Sequence, residues 1–364
     1  MSGLIDTVAT ALAWLAWPVA IVCVIDDWFL RTARQLRAPE GGPIPDPPLV
    51  KVAYAILPVL VLAGLYSLMG SQRTDFSLVL LVITAVSGVV WAIDRLFLLR
   101  GRIAAAQAAG RDPGKLEEPG TVDYARSFFP IMATLLVVRS FAFEPYRIPS
   151  DSMMPTLLDG DFILVNKYSY GLRWPVSHGK FAEVGAPERG DVAVFRWPVD
   201  PSVNYVKRVV GLPGDLVEVR SDQLIINGQP VPFVEKARYS DGCYLNMRLV
   251  EETLGRVKHE VLHCVTPDML AIPPLASCNR NIGQSYLCNE SSAPLAADMG
   301  DRIMQVPKGQ YLMIGDNRDN SSDGRIWGFV DESLLVGKAT RIWFNWDLQR
   351  SGGPNWGRIG RRIE

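Results

Sequence analysis

Histidine and cysteine are scarce in this chain of 364 residues, which holds three of the first and five of the second. Neither supply favours a zinc centre, and no Cys-x-x-Cys pair is present. An excess of charge is missing too: 37 Lys and Arg face 38 Asp and Glu, for a net charge of -1. A protein that grips phosphates usually carries a strongly basic footprint, so this balance argues against nucleic acid as a partner. Basic residues are also absent ahead of the first apolar run, where Asp6 is the one charged side chain. A cleavable signal peptide needs a basic leading region, so this run is expected to remain as an anchor.

Charge is missing altogether from three long stretches, Thr7 to Ile25, Val52 to Met69 and Phe76 to Ile93. Each approaches the ~20 residues that a helix needs to cross hydrocarbon. A fourth, Ser127 to Phe143, contains Arg139 near its end, where an arginine can snorkel to the interface. The alternative for this shorter run is a buried soluble helix. The expected organisation is a membrane anchor over 1-143, with spans near 7-25, 52-69, 76-93 and 127-143, followed by an exported domain over 144-364.

Orientation follows from the loops. Arg31, Arg34, Arg37 and Lys51 lie between runs one and two, and Arg95, Arg100, Arg102, Arg111, Lys115 and Arg126 between runs three and four. Only Arg73 lies between two and three. The positive-inside bias puts the two basic loops in the cytoplasm and the second half on the far side. Val90 to Leu98 (VWAIDRLFL) echoes Val22 to Leu30 (VCVIDDWFL), which suggests that the first pair of spans partly duplicates the start of the second. The segment Gly101 to Thr121 reads as a cytoplasmic helix or linker, and Ala38 to Pro48 as extended chain.

From Glu144 the texture changes to short runs rich in Val, Ile, Tyr and Trp, separated by turns such as Asp159-Gly160-Asp161, Arg189-Gly190-Asp191 and Pro213-Gly214-Asp215. This pattern predicts strands at Phe162 to Val165, Val192 to Phe195, Tyr205 to Val210, Leu216 to Val219, Leu224 to Ile226, Tyr311 to Ile314 and Ala339 to Phe344. Leu212-Pro213-Gly214-Asp215 fits a type II turn. A less regular insertion near 235-304 holds Cys243, Cys264, Cys278 and Cys288, while Cys23 sits in the first apolar run. In an exported region four cysteines suit two disulfides; reduced thiols or a zinc site with His259 and His263 are the alternatives.

Two segments carry candidate chemistry. Ile148-Pro149-Ser150-Asp151-Ser152-Met153-Met154-Pro155 begins within a few residues of the fourth run, so a reactive group there would work close to the membrane. In Asn204 to Asp215, strand alternation puts Tyr205, Lys207 and Val209 on one face. A lysine among apolar side chains loses hydration of its charged form, and the neutral amine can take a proton from a serine hydroxyl. The competing reading is a lysine paired with a carboxylate, or on a solvent face with Arg208 opposite. Asp316 to Gly324 taken alone reads as Asx turns or a calcium loop, although Val330 stands where an EF-hand from Asp319 needs glutamate.

PSDSMMPTL, GDFILVNK, YVKRVVGLPGD and GDNRDNSSDGRIWG stand in this order and together resemble the motifs of bacterial type I signal peptidases. The resemblance runs from about Phe76 to Trp346 and covers the first two spans and the cysteine region less well. It implies a mostly β, signal-peptidase-like catalytic domain with a smaller inserted β subdomain, anchored by about four N-terminal transmembrane helices. It implies a serine endopeptidase with a Ser/Lys dyad, cleaving signal peptides from preproteins after a small-x-small site. Ser152 matches the nucleophile and Lys207 the general base. Ser150 matches the donor that joins the Ser152 N–H in the oxyanion hole. Ser321 matches the serine that orients the lysine amine, and Asp323 and Arg325 a supporting ion pair.

The substrate pocket walls correspond to Tyr146, Ile148, Pro149, Met153, Leu157, Tyr205 and Val206, which taken alone are core residues. Asp151 stands where glycine is common, and Ser322 and Gly324 where alanine and serine are often seen. The resemblance implies the bacterial inner membrane, with the catalytic domain on the periplasmic side, and no metal or other cofactor. Its partners would be signal peptides, membrane lipid and the secretion machinery. Trp343, Phe344, Trp346 and Trp356 suit a lipid interface or core packing. The three histidines lie outside all four motifs, so a histidine triad is not needed. A self-cleaving Ser/Lys repressor would lack four spans; a proteolytically inactive membrane scaffold of the same fold is the remaining competitor.

Overall fold

The computed structural model describes residues 2–39, 44, 46–70, 76–220, 223–241, 244–263, 277–279, 284–286, 302–347 and 353–364. The chain divides into two compact units, Met1–Val138 and Arg139–Glu364.

The first unit is helical. It comprises α1 (Ser2–Ile25), α2 (Arg31–Arg37), α3 (Pro48–Gly70), α4 (Phe76–Ile93), α5 (Leu99–Ala108) and α6 (Gly120–Val137). Among the described residues three stretches are long and apolar enough to cross a membrane: Thr7–Arg37, Phe76–Ala108 and Gly120–Ala142. Within α3, Pro48–Gly64 forms a shorter apolar helix. Small residues set the packing: Gly64 lets α3 approach Ala13 of α1, and Gly88 of α4 receives the Phe129 ring of α6.

The sequence echo between the two apolar halves is also a structural repeat. A π turn follows α1 at Asp26–Leu30, and another follows α4 at Asp94–Leu98. In each, the buried aspartate that opens the turn is held in both arms by an arginine eight residues on. Arg34 donates to Asp26 at 2.6 and 2.7 Å, and Arg102 binds Asp94 in the same two-pronged way. A planar guanidinium matches a carboxylate at both oxygens, which is what a buried charge of this kind requires. The copies differ at the next position. Asp27 accepts the Thr121 N–H at 2.6 Å at the start of α6, whereas Arg95 stands at the matching place in the second copy.

The second unit is mostly β. Seven antiparallel strands form its main sheet in the order β1 (Phe143–Arg147), β2 (Asp161–Asn166), β19 (Leu335–Asn345), β5 (Val192–Arg196), β6 (Asn204–Gly211), β17 (Gln310–Ile314) and β18 (Val330–Asp331). Alternation in β2 buries Ile163 and Val165 against Ile148, Met153 and Leu157. Each such side chain contributes about 1.5–3 kcal/mol by leaving water, so this cluster fixes the loop that carries Ser150 and Ser152.

A four-stranded sheet packs its own apolar layer, in the order β16 (Arg302–Gln305), β7 (Leu216–Arg220), β8 (Gln223–Ile226) and β9 (Gln229–Pro230). Gly214, at φ +91°, makes the turn into it, with the Asp215 N–H bonded to the Leu212 carbonyl at 3.0 Å. Only glycine takes that backbone angle without strain.

The insertion contributes β10 (Phe233–Glu235), β11 (Tyr239–Asp241), β12 (Tyr244–Leu254) and β13 (Val257–His263). Its Met247 and Leu262 pack on Met154 and Leu158, directly behind the Ser152 loop. Two ribbons complete the unit: β3 (Leu172–Arg173) with β4 (Lys180–Ala182), and β14 (Ser277–Asn279) with β15 (Gln284–Tyr286). Cys243, Cys264 and Cys288 lie outside the described residues, as does the side chain of Cys278, and so does the expected disulfide pairing.

Candidate active site

Ser152 sits in the loop between β1 and β2, and Lys207 at the centre of β6. Apolar burial of Met153 and Leu157 holds the loop from one side, and two hydrogen bonds hold it from the other. The Asn317 N–H donates to the Ser152 carbonyl at 3.2 Å, and its side-chain amide to the Asp151 carbonyl at 3.1 Å. The loop therefore rests on the turn after β17 that carries the fourth sequence motif.

Lys207 Nζ lies 2.6 Å from Ser152 Oγ and 3.1 Å from the Val206 carbonyl. Ser150 Oγ is 3.4 Å from Ser152 Oγ. Lys207 is 4 % exposed, with its amine 5.4 Å from the centre of the Tyr205 ring. Tyr205 and Lys207 thus share one face, as strand alternation requires. Burial lowers the lysine from its usual value of 10.5 to about 8. Asp323 and Asp316 resist that fall by favouring the ammonium, and Arg325 adds to it. An amine titrating near pH 8, in contact with a hydroxyl, is suited to take and return that hydroxyl's proton.

Asp323 and Arg325 form a buried pair, with Nε–Oδ1 at 2.8 Å and Nη2–Oδ2 at 2.9 Å. Asp323 also accepts the Gly315 N–H at 2.9 Å, and its carboxyl is held below the usual range, against the cost of burial, chiefly by Arg325. Ser321 is buried beside Gly315, and its hydroxyl has no hydrogen-bond partner among the described residues. The hydrogen bonds of the lysine amine go to Ser152 and Val206.

A second buried pair has no counterpart in the sequence reading. Arg208 is fully buried; its Nε and Nη2 donate to Asp316 at 2.8 and 2.7 Å. Thr156, a few residues beyond Ser152, donates to the same carboxylate at 2.6 Å. Arg318 pairs with Glu252 of the insertion, and the Leu262 N–H of β13 donates to the Asp316 carbonyl at 2.9 Å. The acidic stretch that resembled a calcium loop thus turns two carboxylates, Asp316 and Asp323, onto arginines. Val209 and Val210, one on each face, mark β6 as a strand covered on both sides, which signals that Arg208 needs a partner without naming it.

A cleft of about 550 Å³ opens beside the pair. Tyr146, Ile148, Pro149, Met153, Tyr205 and Val206 line it with Ser150, Ser152 and Lys207. Leu157 is fully buried in the core behind the loop and is not among the lining residues. Asp151, Asn320 and Ser322 add a polar rim that the pocket expectation did not include.

Residues 121–344 match the family described as signal peptidase, peptidase S26. Signal peptidase I of Pseudomonas fluorescens is 42% identical over 308 residues, covering 79% of this chain and 98% of that protein. Signal peptidase I of Pseudomonas aeruginosa is 39% identical over 308 residues, with the same coverage of 79% and 98%. That of Buchnera aphidicola subsp. Acyrthosiphon pisum is 35% identical over 322 residues, covering 78% of this chain and 96% of the relative.

Proposed function

The chain belongs to the signal peptidases of peptidase family S26, membrane-anchored endopeptidases that cleave signal peptides, and from that footing we propose that Ser152 and Lys207 carry the reaction. The observation behind this reading is the 2.6 Å approach of a buried lysine amine, titrating at about 8, to a loop serine.

An extended preprotein segment lies in the cleft with small side chains against Ile148, Met153, Tyr205 and Val206. The neutral Lys207 amine takes the Ser152 proton as Oγ attacks the scissile carbonyl carbon. The resulting oxyanion is met by the Ser152 N–H and the Ser150 hydroxyl, which strengthen their hold as charge develops. Lys207, now an ammonium, gives its proton to the leaving amine as the C–N bond breaks, and the signal peptide remains as an ester on Ser152. A water molecule, deprotonated by the same amine, attacks the ester, and the proton returns to Ser152 Oγ as the C–O bond breaks. Asp323, paired with Arg325, sets the charge around the amine, and Ser321 is assigned to orienting that amine during the reaction.

The reading places the catalytic domain on the periplasmic face of the inner membrane, near secretion machinery that delivers preproteins. It assigns lipid contact to the exposed Trp343, Trp346 and Trp356. Cleavage of a purified preprotein in lipid, with the product's new N-terminus sequenced, tests the whole. Wild type is expected to cut after a small-x-small site, and Ser152→Ala and Lys207→Ala to be inactive. Equal cleavage by either variant, or inactivity of wild type on several preproteins, transfers the case to another site or to an inactive scaffold.

A further inference from the structure

β5 and β6 are joined by the turn Trp197-Pro198-Val199-Asp200-Pro201-Ser202-Val203, which holds itself together. The Trp197 N–H donates to the Val203 carbonyl at 2.8 Å and the Val203 N–H to the Asp200 carbonyl at 3.0 Å. The Asp200 carboxylate accepts from the Ser202 N–H and hydroxyl at 3.0 and 2.6 Å. Pro198 and Pro201 each fix a backbone angle of the turn. Trp197 therefore stands on a stiff support and continues the alternation of β5 through Ala193 and Phe195. Across the ladder Ala193 faces Lys207 and Phe195 faces Tyr205, which puts Phe195, Trp197, Tyr205 and Lys207 on one face.

On that face Tyr205 is surrounded by rings. Trp197 lies flat against it, with centroids 5.1 Å apart and planes 3° from parallel. Phe195 and Trp327 meet it at 6.4 and 6.5 Å, Trp327 edge-on, and touch each other at 5.9 Å. Stacked and edge-on contacts of this kind fix the orientation of a ring as well as its place. Tyr205 also lines the cleft, whereas Trp197 and Trp327 are not among the lining residues. The lysine amine that touches Ser152 Oγ is 5.4 Å from the centre of the Tyr205 ring. The ring thus bounds the part of the cleft where the attacked carbonyl comes to lie, and the side chain nearest that carbonyl belongs to the residue before the cleaved bond.

We propose that Trp197 is a positioning residue for substrate choice: by stacking on Tyr205 it keeps that ring forward in the cleft and closes the space before the bond to all but small side chains. Cutting Trp197 back frees the space behind Tyr205, the ring tips into it, and the pocket deepens. Trp197 acts only through Tyr205 and does not itself touch substrate. The inference rests on the reading that preproteins are cut in the cleft beside Ser152 and Lys207.

The test uses the full chain in lipid vesicles and a pair of preproteins that differ only in alanine or leucine before the cleaved bond, with each product's new N-terminus sequenced. The quantity read is kcat/KM for the alanine substrate divided by that for the leucine substrate. Trp197→Ala should lower this ratio by about tenfold or more, the size expected when a pocket gains room for added methylenes. Trp197→Phe, which can still stack, should keep it within about threefold of wild type. Tyr205→Ala should lower the ratio by itself, and Trp197→Ala/Tyr205→Ala no further than Tyr205→Ala alone, because residues that act as one unit are not additive. An unchanged ratio in Trp197→Ala, an equal loss of rate on both substrates, or full additivity in the double variant makes Trp197 a folding element and overturns the proposal. Should Trp197→Ala be recovered unfolded, Trp197→Leu is measured in its place under the same criteria. A wild type that cuts both substrates equally well also overturns the proposal alone, whereas a wild type that cuts neither, or a Ser152→Ala variant that still cuts, overturns the reading of the cleft on which it rests.

Discussion

Gly315 and Ser321 are packed so closely that a β-carbon on Gly315 would lie 2.2 Å from Ser321 Oγ and 2.5 Å from the Ser152 carbonyl oxygen. The backbone just after β17 therefore presses directly on both Ser321 and the serine loop itself. Gly315→Ala should displace Ser152 from Lys207, because one of the two clashing atoms is backbone and cannot swing aside. Overpacking of this kind costs about 1–3 kcal/mol in stability. Activity on a preprotein should fall by roughly a hundredfold, since ångström-scale misplacement of reacting groups costs about that much. A variant with wild-type kcat would show that the contact does not position the pair.

The depressed lysine predicts the shape of the pH profile. Only the neutral amine is a base, so kcat/KM should rise about tenfold per pH unit on the acid side and level off above about 8. Asp323 favours the ammonium, so Asp323→Asn should move the rising limb to lower pH in whatever activity remains. A limb that stays in place, or moves up, would count against the electrostatic role given to Asp323.

Ser150 lies within 3.4 Å of Ser152 Oγ, close to where the substrate oxyanion forms. Ser150→Ala should lower kcat by about 10²–10³ and leave KM nearly unchanged, because the missing donor acts on charge that exists only in the transition state. Steady-state kinetics on a signal-peptide substrate separate the two parameters. An effect confined to KM would make Ser150 a wall of the pocket instead.

Much of the catalytic half is readable from local pattern. Alternation and Gly-Asp turns locate β2, β5, β6, β7, β8, β17 and most of β19 within a few residues, because each strand's period and punctuation are set by its own side chains. Motif order singles out Lys207, Ser152 and Ser150, and the fold brings their side chains together. The Arg208–Asp316 pair is not, because its partners are 108 residues apart and meet only when β6 lies against the turn after β17. Nor is the seating of the insertion behind the Ser152 loop, through Leu262 and Met154, which depends on how the two sheets pack. Leu157, an apolar residue of the first motif, is buried with Ile163 and Val165 in the core behind the cleft, a placement that motif order alone does not give.

That long-range pair yields its own prediction. Asp316→Asn leaves the Arg208 guanidinium fully buried beside a neutral amide, and breaking a buried pair from one side costs about 3–5 kcal/mol. Thr156 loses a charged acceptor at the same time, so the Ser152 loop should loosen with it. The expected outcome is a large drop in the denaturation midpoint, with residual cleavage falling along with it. A midpoint unchanged within error would mean that the pair contributes nothing net to holding the loop.

Lys207 itself should be a source of instability. Its folded value, about 8, lies below the ordinary 10.5, so at pH below 8 the native state carries an ammonium in a site that disfavours it. Between 8 and 10.5 the native lysine is already neutral while the unfolded one is still charged, and the penalty shrinks as pH rises; above 10.5 it is gone. At 1.36 kcal/mol per pH unit the full penalty is roughly 3 kcal/mol. Lys207→Met keeps the length of the side chain and removes the charge. It should abolish cleavage while raising the thermal midpoint at pH 6.5, and the gain should disappear at pH 11. Midpoints followed by tryptophan fluorescence at the two pH values decide the matter: a variant less stable than wild type at pH 6.5 would show that the buried ammonium is compensated by its neighbours, and that the lysine is not held against its own stability for the sake of its basicity.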